Sequence, residues 1–263
     1  MSKHHNLIEG WRNCNLESLP YLFPDDEKHF SGFPDSKTYG SFDEYVASPE
    51  FGVPDINLHL GLLPIPFAGN LEKASIFILM LNPGLSAGDY FAEQRVTEFR
   101  NAHIRSLRQE NADDEFPFIF LNPVFAWHPG FGYWQKKFHN IIDEIRKQSK
   151  VTYQQAMSIL SKRLACLELM PYHSKSFGAG SLLNKLPSVK IMRNYVQEVV
   201  IPKAKADKAI IIATRQVKMW QLPEHKNIVM YEGGETRSAH LTISSRGGQA
   251  IAKNLGLLKQ KGG

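Results

Sequence analysis

The chain has 263 residues, 43% of them hydrophobic, and a formal net charge of +5, enough length and apolar content for one large α/β domain or two small ones. Its longest apolar runs, near Ile76–Leu81 and Ala209–Ala213, are far too short to cross a bilayer, and the N-terminal MSKHHNLIEGWRN lacks the apolar core of a signal peptide. Two cysteines, Cys14 and Cys166, form no CxxC pair and suggest neither a disulfide framework nor a zinc or iron–sulfur centre, so a reduced, cytoplasmic protein is expected, with no membrane partner.

In chain order, residues 1–70 are rich in Pro, Gly, Asp and aromatics and read as an irregular extension wrapped over a body, because Trp11, Tyr21, Phe23 and Phe33 need cover. Ala74–Leu81 is a continuous apolar run, the pattern of a strand covered on both faces. In Asp89–Phe120, Arg95, Arg100, Arg105 and Arg108 are interspersed with acids, as on a solvated helix. Helical patterns follow at Tyr133–Lys147 and at Tyr153–Arg163, the latter behind a Thr152/Gln155 capping box. Then come a strand at Leu164–Met170, a helix at Val189–Ala204 behind Ser188, and strands at Ala209–Ala213 and Asn227–Tyr231. A last helix is expected after Ser245, with Ile251, Leu255 and Leu258 on one face.

Strands alternating with helices predict an α/β fold, a three-layer αβα sandwich around a mostly parallel four-stranded central sheet. The expected division is an extension over residues 1–70 and one α/β domain over 71–263. Such sheets place ligands at the C-terminal ends of their strands, where Asn82 lies and where segments begin at Pro171, Thr214 and Glu232. In "LNPGLSAG", Pro83 fixes φ and Gly84 lets the backbone turn closely, so Asn82 can project into the crevice. An amide there can hold a water by accepting one hydrogen bond and donating another; an ordinary turn with Asn as a local cap is the plainer reading. Charge bears on the partner. Residues 201–263 hold 11 Lys/Arg against 4 Asp/Glu, whereas residues 1–200 are slightly acidic, a bias that suits an anionic partner such as nucleic acid and equally a solvated surface with a basic tail. His128, His139 and His173 lack metal-ligand spacing, so neither metal nor cofactor is expected.

Four segments together resemble the uracil-DNA glycosylase superfamily, most closely its mismatch-specific and single-strand-selective branches. "LNPGLSAG" is similar to the first motif of that family, "FAWHPGFGYWQKKF" (125–138) to the segment leading into the next helix, "LELMPYHS" (167–174) to the strand ending at the base-reading residue, and "SAHLTISSRG" (238–247) to the second motif. They occur in family order across residues 72–258. The resemblance implies a monomeric, monofunctional DNA glycosylase that flips a base out of DNA. Asn82 would orient the attacking water and His240 would stabilise the leaving base. Phe91 or Tyr90 would stack on the base unless either belongs to the core, and Ser86, Lys175, Ser244, Ser245 and Arg246 would contact DNA. The second motif departs from the family at Leu241 and Thr242, and Ser244 is too small for the apolar wedge, which leaves Ile243 or Arg246 for that task.

Two further departures bear on the substrate. Glu168 stands where uracil readers commonly have Asn; a carboxylate accepts from the exocyclic amine of cytosine and is repelled by O4 of uracil. Gly84 stands where uracil-specific members place a Tyr that blocks C5 substituents. Together they imply a 5-substituted cytosine, hydroxymethylated or glucosylated, as found in certain phage genomes, and hence a bacterial phage-defence role. Alternatives are a uracil or mismatch glycosylase with Glu168 in a salt bridge, a non-catalytic nucleic-acid-binding protein of this fold, and an unrelated α/β hydrolase using Asp89 as its base.

Overall fold

The computed structural model describes residues 4–235 and 241–258. Its elements begin with α1 (His4–Arg12), α2 (Glu27–Phe30), β1 (Ser36–Lys37), α3 (Phe42–Ala47), β2 (Leu58–His59) and β3 (Phe67–Ala68). They continue with β4 (Ile76–Met80), α4 (Ala87–Arg95), α5 (Thr97–Arg108), α6 (Pro129–Ser149), α7 (Tyr153–Ser161), β5 (Leu164–Glu168) and α8 (Pro187–Tyr195). The C-terminal part holds α9 (Ile201–Lys205), β6 (Ile210–Ala213), α10 (Val217–Trp220), β7 (Ile228–Met230) and α11 (Arg246–Asn254).

The fold is α/β, and its main sheet is a five-stranded mixed one in the order β3-β5-β4-β6-β7. The four strands anticipated from apolar runs are all present; the fifth, β3, is only two residues long and has no run to betray it. β4 pairs with β6 and β6 with β7 in parallel. Ile76–Leu79 and all of β5 and β6 are buried, which requires cover on both faces of these strands.

The chain divides into two compact units. The first comprises Met1–Phe67, Met80–Glu110 and Leu167–Glu198. Here the N-terminal residues are less irregular than their composition suggests: α1 and α3 are regular helices, and β1 and β2 form a parallel ladder, Ser36 against Leu58 and Lys37 against His59. Trp11 and Phe23 are buried, as their size demands, and Tyr45, Leu62 and Tyr90 form a core with Tyr39, Phe42 and Leu85 around it. Two helices, α4 and α5, occupy the stretch after Asn82, and α5 buries Phe99, His103 and Leu107 on one face. The long helix expected over Val189–Ala204 is interrupted. α8 ends at Tyr195, a π-helical turn covers Val196–Val200, and α9 carries Pro202, which has no N–H to donate back into a regular ladder.

The second unit comprises Ala68–Leu79, Asn111–Cys166 and Val199–Gly263, and so holds most of the sheet. α6 starts four residues before its apolar pattern does, because Pro129 suits the first helical position and His128 Nδ1 accepts from the Gly130 N–H at 3.0 Å. α7 has the anticipated cap: Thr152 Oγ1 accepts from Gln155 N–H and Gln155 Oε1 from Thr152 N–H. The last helix stops earlier than its pattern implied. Gly256, with φ of +72°, terminates it, so Leu257 is buried while Leu258 is exposed.

Candidate active site

β4 ends at Met80, and the chain turns at Asn82-Pro83-Gly84 within the first unit. The Asn82 amide nitrogen donates to Pro83 O at 2.9 Å and to Ser174 Oγ at 2.8 Å, with Tyr172 O at 3.5 Å. Carbonyl oxygens only accept, so this cluster fixes which end of the amide is nitrogen. Oδ1 is left with no hydrogen bond among the described residues, on a half-buried side chain. A held nitrogen and an open oxygen make a preoriented acceptor.

The turn is gripped by the segment after β5. Ser174 N–H donates to Pro83 O at 3.2 Å. His173 Nδ1 lies 2.8 Å from Gly84 O and Nε2 lies 3.2 Å from Leu63 O. The N-terminal residues hold the same segment from the other direction. Asp26 accepts from Tyr172 Oη at 2.6 Å and from Ser188 N–H at 3.0 Å. His59 N–H donates to His173 O, and Ile65 N–H to Pro171 O, both at 2.9 Å.

Burial pushes the Asp26 carboxyl up, against hydrogen bonds from Ser188 and Tyr172 that favour its charge. Burial pushes His59 down to about 4; Asp55 opposes this, while the like charges of His173 and Lys175 add to it. His59 Nδ1 is 3.0 Å from Tyr90 Oη, and Nε2 is 3.8 Å from an Asp55 oxygen. Nearby, Glu93 accepts from the Leu63 N–H at 2.8 Å and its other oxygen lies 3.1 Å from His103 Nδ1, with both side chains buried.

The anticipated site residues separate into groups. Asn82, Gly84, Phe91 and Glu168 belong to the first unit. Gly84 is exposed, and a Cβ built on it would meet nothing within 4 Å. Phe91 is 43% exposed and packs edge-on against Phe42. Glu168 is buried at the end of β5, its N–H donating to Pro66 O at 2.8 Å. The next two N–H groups, of Leu169 and Met170, donate to Met80 O and Leu81 O, which sets the end of β5 beside the approach to Asn82.

Three expected binding roles meet a different placement. Tyr90 is fully buried and stacked on Tyr45, with ring centroids 4.5 Å apart, so it fills the core and has no face for a base. Lys175 is a strut. Its ammonium donates to Glu50 O and Val53 O and pairs with Asp55 at 2.8 Å, so its three donors point inward to the N-terminal residues instead of outward to a phosphate. Ser86 caps α4, where the Asp89 carboxylate accepts from its N–H at 2.6 Å and its hydroxyl at 3.0 Å. That contact also occupies Asp89, the alternative hydrolytic base.

Ser244, Ser245 and Arg246 lie in the second unit. Ser245 Oγ caps α11 by accepting from Gly248 N–H at 3.0 Å and donates to Thr242 O at 2.8 Å. Ser244 Oγ is 3.0 Å from Thr242 Oγ1. Arg246 forms an exposed ion pair with Glu235 at 3.1 Å, a contact worth little in water. His240 lies outside the described residues. Ser174, Tyr172 and His173 lie in the LELMPYHS segment singled out in the sequence, but their part in holding the Asn82 turn has no local signal beyond the polar PYHS run after an apolar strand. Among the described residues, no group of three His, Cys, Asp or Glu could hold a metal ion, and no helix is long and apolar enough to cross a membrane.

Comparison with protein-family models, with curated proteins and with solved structures finds no match to this chain.

Proposed function

We propose that this protein is a DNA glycosylase that hydrolyses the N-glycosidic bond of a 5-substituted cytosine, hydroxymethylated or glucosylated, on a three-layer glycosylase-type fold. The observation that carries the reading is the Asn82 amide, with its nitrogen tied to Pro83 O and Ser174 Oγ and its oxygen open. In the reaction, Asn82 Oδ1 accepts a hydrogen bond from water and aims its oxygen at C1′. The C1′–N1 bond breaks with oxocarbenium character on the sugar, and its electron pair leaves with the base. His240 donates a hydrogen bond to O2 of the departing base, water bonds to C1′, and the released proton ends on solvent or the base. Glu168 accepts from the exocyclic amine, and the space beside Gly84 admits the substituent on C5. Normal cytosine is spared because the substituent itself contributes binding. The role that follows is defence of a bacterial cytoplasm against phages with modified DNA.

The test is alkali-labile strand formation from matched oligonucleotides containing cytosine, uracil, hydroxymethylcytosine or glucosylated hydroxymethylcytosine, with Glu168→Gln alongside. Release of modified cytosines, weakened by Glu168→Gln, is expected. Release of uracil alone would move the protein to repair, and an intact strand in every case would leave the nucleic-acid-binding and α/β-hydrolase readings.

A further inference from the structure

In the first unit, Phe51, Val53 and Ile56 lie close together in the chain and are exposed by 43%, 48% and 45%. Single exposed apolar residues are ordinary, but this group sits on a turn that is held from both sides. Gly52, with φ of +76°, takes the left-handed conformation at the tip, and the Val53 N–H donates back to Glu50 O at 3.4 Å. On one side Glu50 accepts from the Tyr39 hydroxyl and pairs with Lys37 at 3.2 Å. On the other, Asp55 pairs with Lys175 at 2.8 Å, and Ile56 packs on Gly178, where a Cβ would stand only 2.7 Å from the isoleucine side chain. The Phe51 ring rests edge-on against buried Tyr45, with centroids 5.7 Å apart. Both flanking carboxylates are spent inward, which leaves Phe-Gly-Val-Pro (51–54) as an uncharged tip.

The tip is tied to the candidate site. Lys175 Nζ donates to Glu50 O and Val53 O, and Lys175 follows Ser174, whose hydroxyl accepts from the Asn82 amide. One lysine side chain therefore links the apolar turn to the segment that holds Asn82. Leu85, next to Gly84, packs on the same core of Tyr45 and Tyr90 against which Phe51 rests. On the glycosylase reading, from which this inference proceeds, an extruded nucleotide leaves a gap in the base stack, and an apolar side chain can fill it. The segment after His240 offers no exposed apolar side chain among residues 241–246: Leu241 is buried, Ile243 is half-buried, and Ser244 is small. We propose that Phe51 fills the gap, carried into the base stack on the turn at residues 51–53, so that the N-terminal residues form part of the DNA-binding surface. A ring held by its edge, with no charge on its tip, suits the interior of a base stack and not a phosphate.

The probe is a short duplex with one tetrahydrofuran abasic site, which presents the gap with no base to release, compared with the same duplex intact. The native protein should bind the gapped duplex about tenfold more tightly, the scale of one ring stacked on a base. Phe51→Ala should remove that preference and leave affinity for the intact duplex unchanged. Phe51→Trp should keep the preference and add an emission, absent from the parent, that the gapped duplex quenches. Equal affinity of the parent for the two duplexes, a preference that survives Phe51→Ala, or an added emission that the gapped duplex leaves unquenched would each overturn the assignment. Base release from the cytosine, uracil and modified-cytosine oligonucleotides is followed in parallel. Release by a parent with no preference for the gap overturns the role of Phe51 alone. A Phe51-dependent preference with no base released overturns the glycosylase reading alone, and failure to bind either duplex overturns both.

Discussion

A carboxamide in water is a weak catalyst; what distinguishes Asn82 is that its surroundings leave it one orientation. The nitrogen is spent on Pro83 O and Ser174 Oγ, so the orientation of the oxygen is set during folding, and the proposed reaction would not have to supply that entropy. On the proposed reaction, Asn82→Ala should therefore reduce base release by orders of magnitude while DNA affinity, measured by fluorescence anisotropy, stays nearly unchanged. Ser174→Ala removes one of the acceptors and should lower kcat about five- to tenfold with little effect on KM, the scale of a single hydrogen bond. A KM effect alone would show that Ser174 serves binding and not orientation. Asn82 was picked out because an apolar run ends on it and three neighbouring segments accompany it in order; Asn-Pro-Gly alone reads as an ordinary capped turn. Ser174 was not, since its bond to Asn82 spans 92 residues. The sequence left Tyr90 open between base and core for a related reason: a tyrosine one residue from an exposed Phe91 carries no local mark of which side of α4 it occupies.

The elements follow the apolar pattern where burial is two-sided and depart from it where a single residue overrides it. β4 and β6 are uninterrupted apolar runs and β5 is apolar up to its last residue, Glu168, and all three were found with little error. The N-terminal residues fold around polar anchors instead. Asp26 sits in the run Asp25-Asp26-Glu27, and nothing local distinguishes the buried carboxylate that bonds Tyr172 from its exposed neighbours. A steric override sets the start of α11. The Gly247 N–H donates to Tyr231 Oη at 3.2 Å, and a Cβ on Gly248 would stand only 1.7 Å from Thr242 O. Backbone must move to admit any side chain there. Gly248→Ala should lower stability by about 2 kcal/mol or more, read from the denaturant midpoint, and should displace Ser245 and Arg246 with the helix start. A variant as stable as the parent would mean that α11 can shift at little cost.

At the scale of the molecule, stability must respond to acid through the groups that folding holds away from water. His59 is fully buried, and its pKa is about 4 instead of the usual 6.5. Because the folded value is depressed, the unfolded chain takes up a proton as pH falls below about 6.5 while the folded chain refuses it until about 4. Stability is therefore lost as pH falls through that window, by up to about 3 kcal/mol, since each tenfold difference in proton affinity between the two states is worth about 1.4 kcal/mol. Asp26 works in the opposite sense: its raised pKa favours the folded state as pH falls from that value towards the ordinary carboxylate range. Burial pushes Asp55 up, but Lys175, the Asn57 N–H and His59 together hold it below its usual value, so its contribution fades only under stronger acid. The clean measurement is thus a difference. Melting temperatures of the parent and of His59→Gln, taken from pH 7 to pH 4, share the Asp26 and Asp55 contributions and differ in the imidazole. The glutamine can still reach the Tyr90 hydroxyl but has no proton to gain, so the parent should lose several degrees more than the variant across the window. Parallel profiles would mean that His59 takes its proton without unfolding, with Asp55 as the counter-charge.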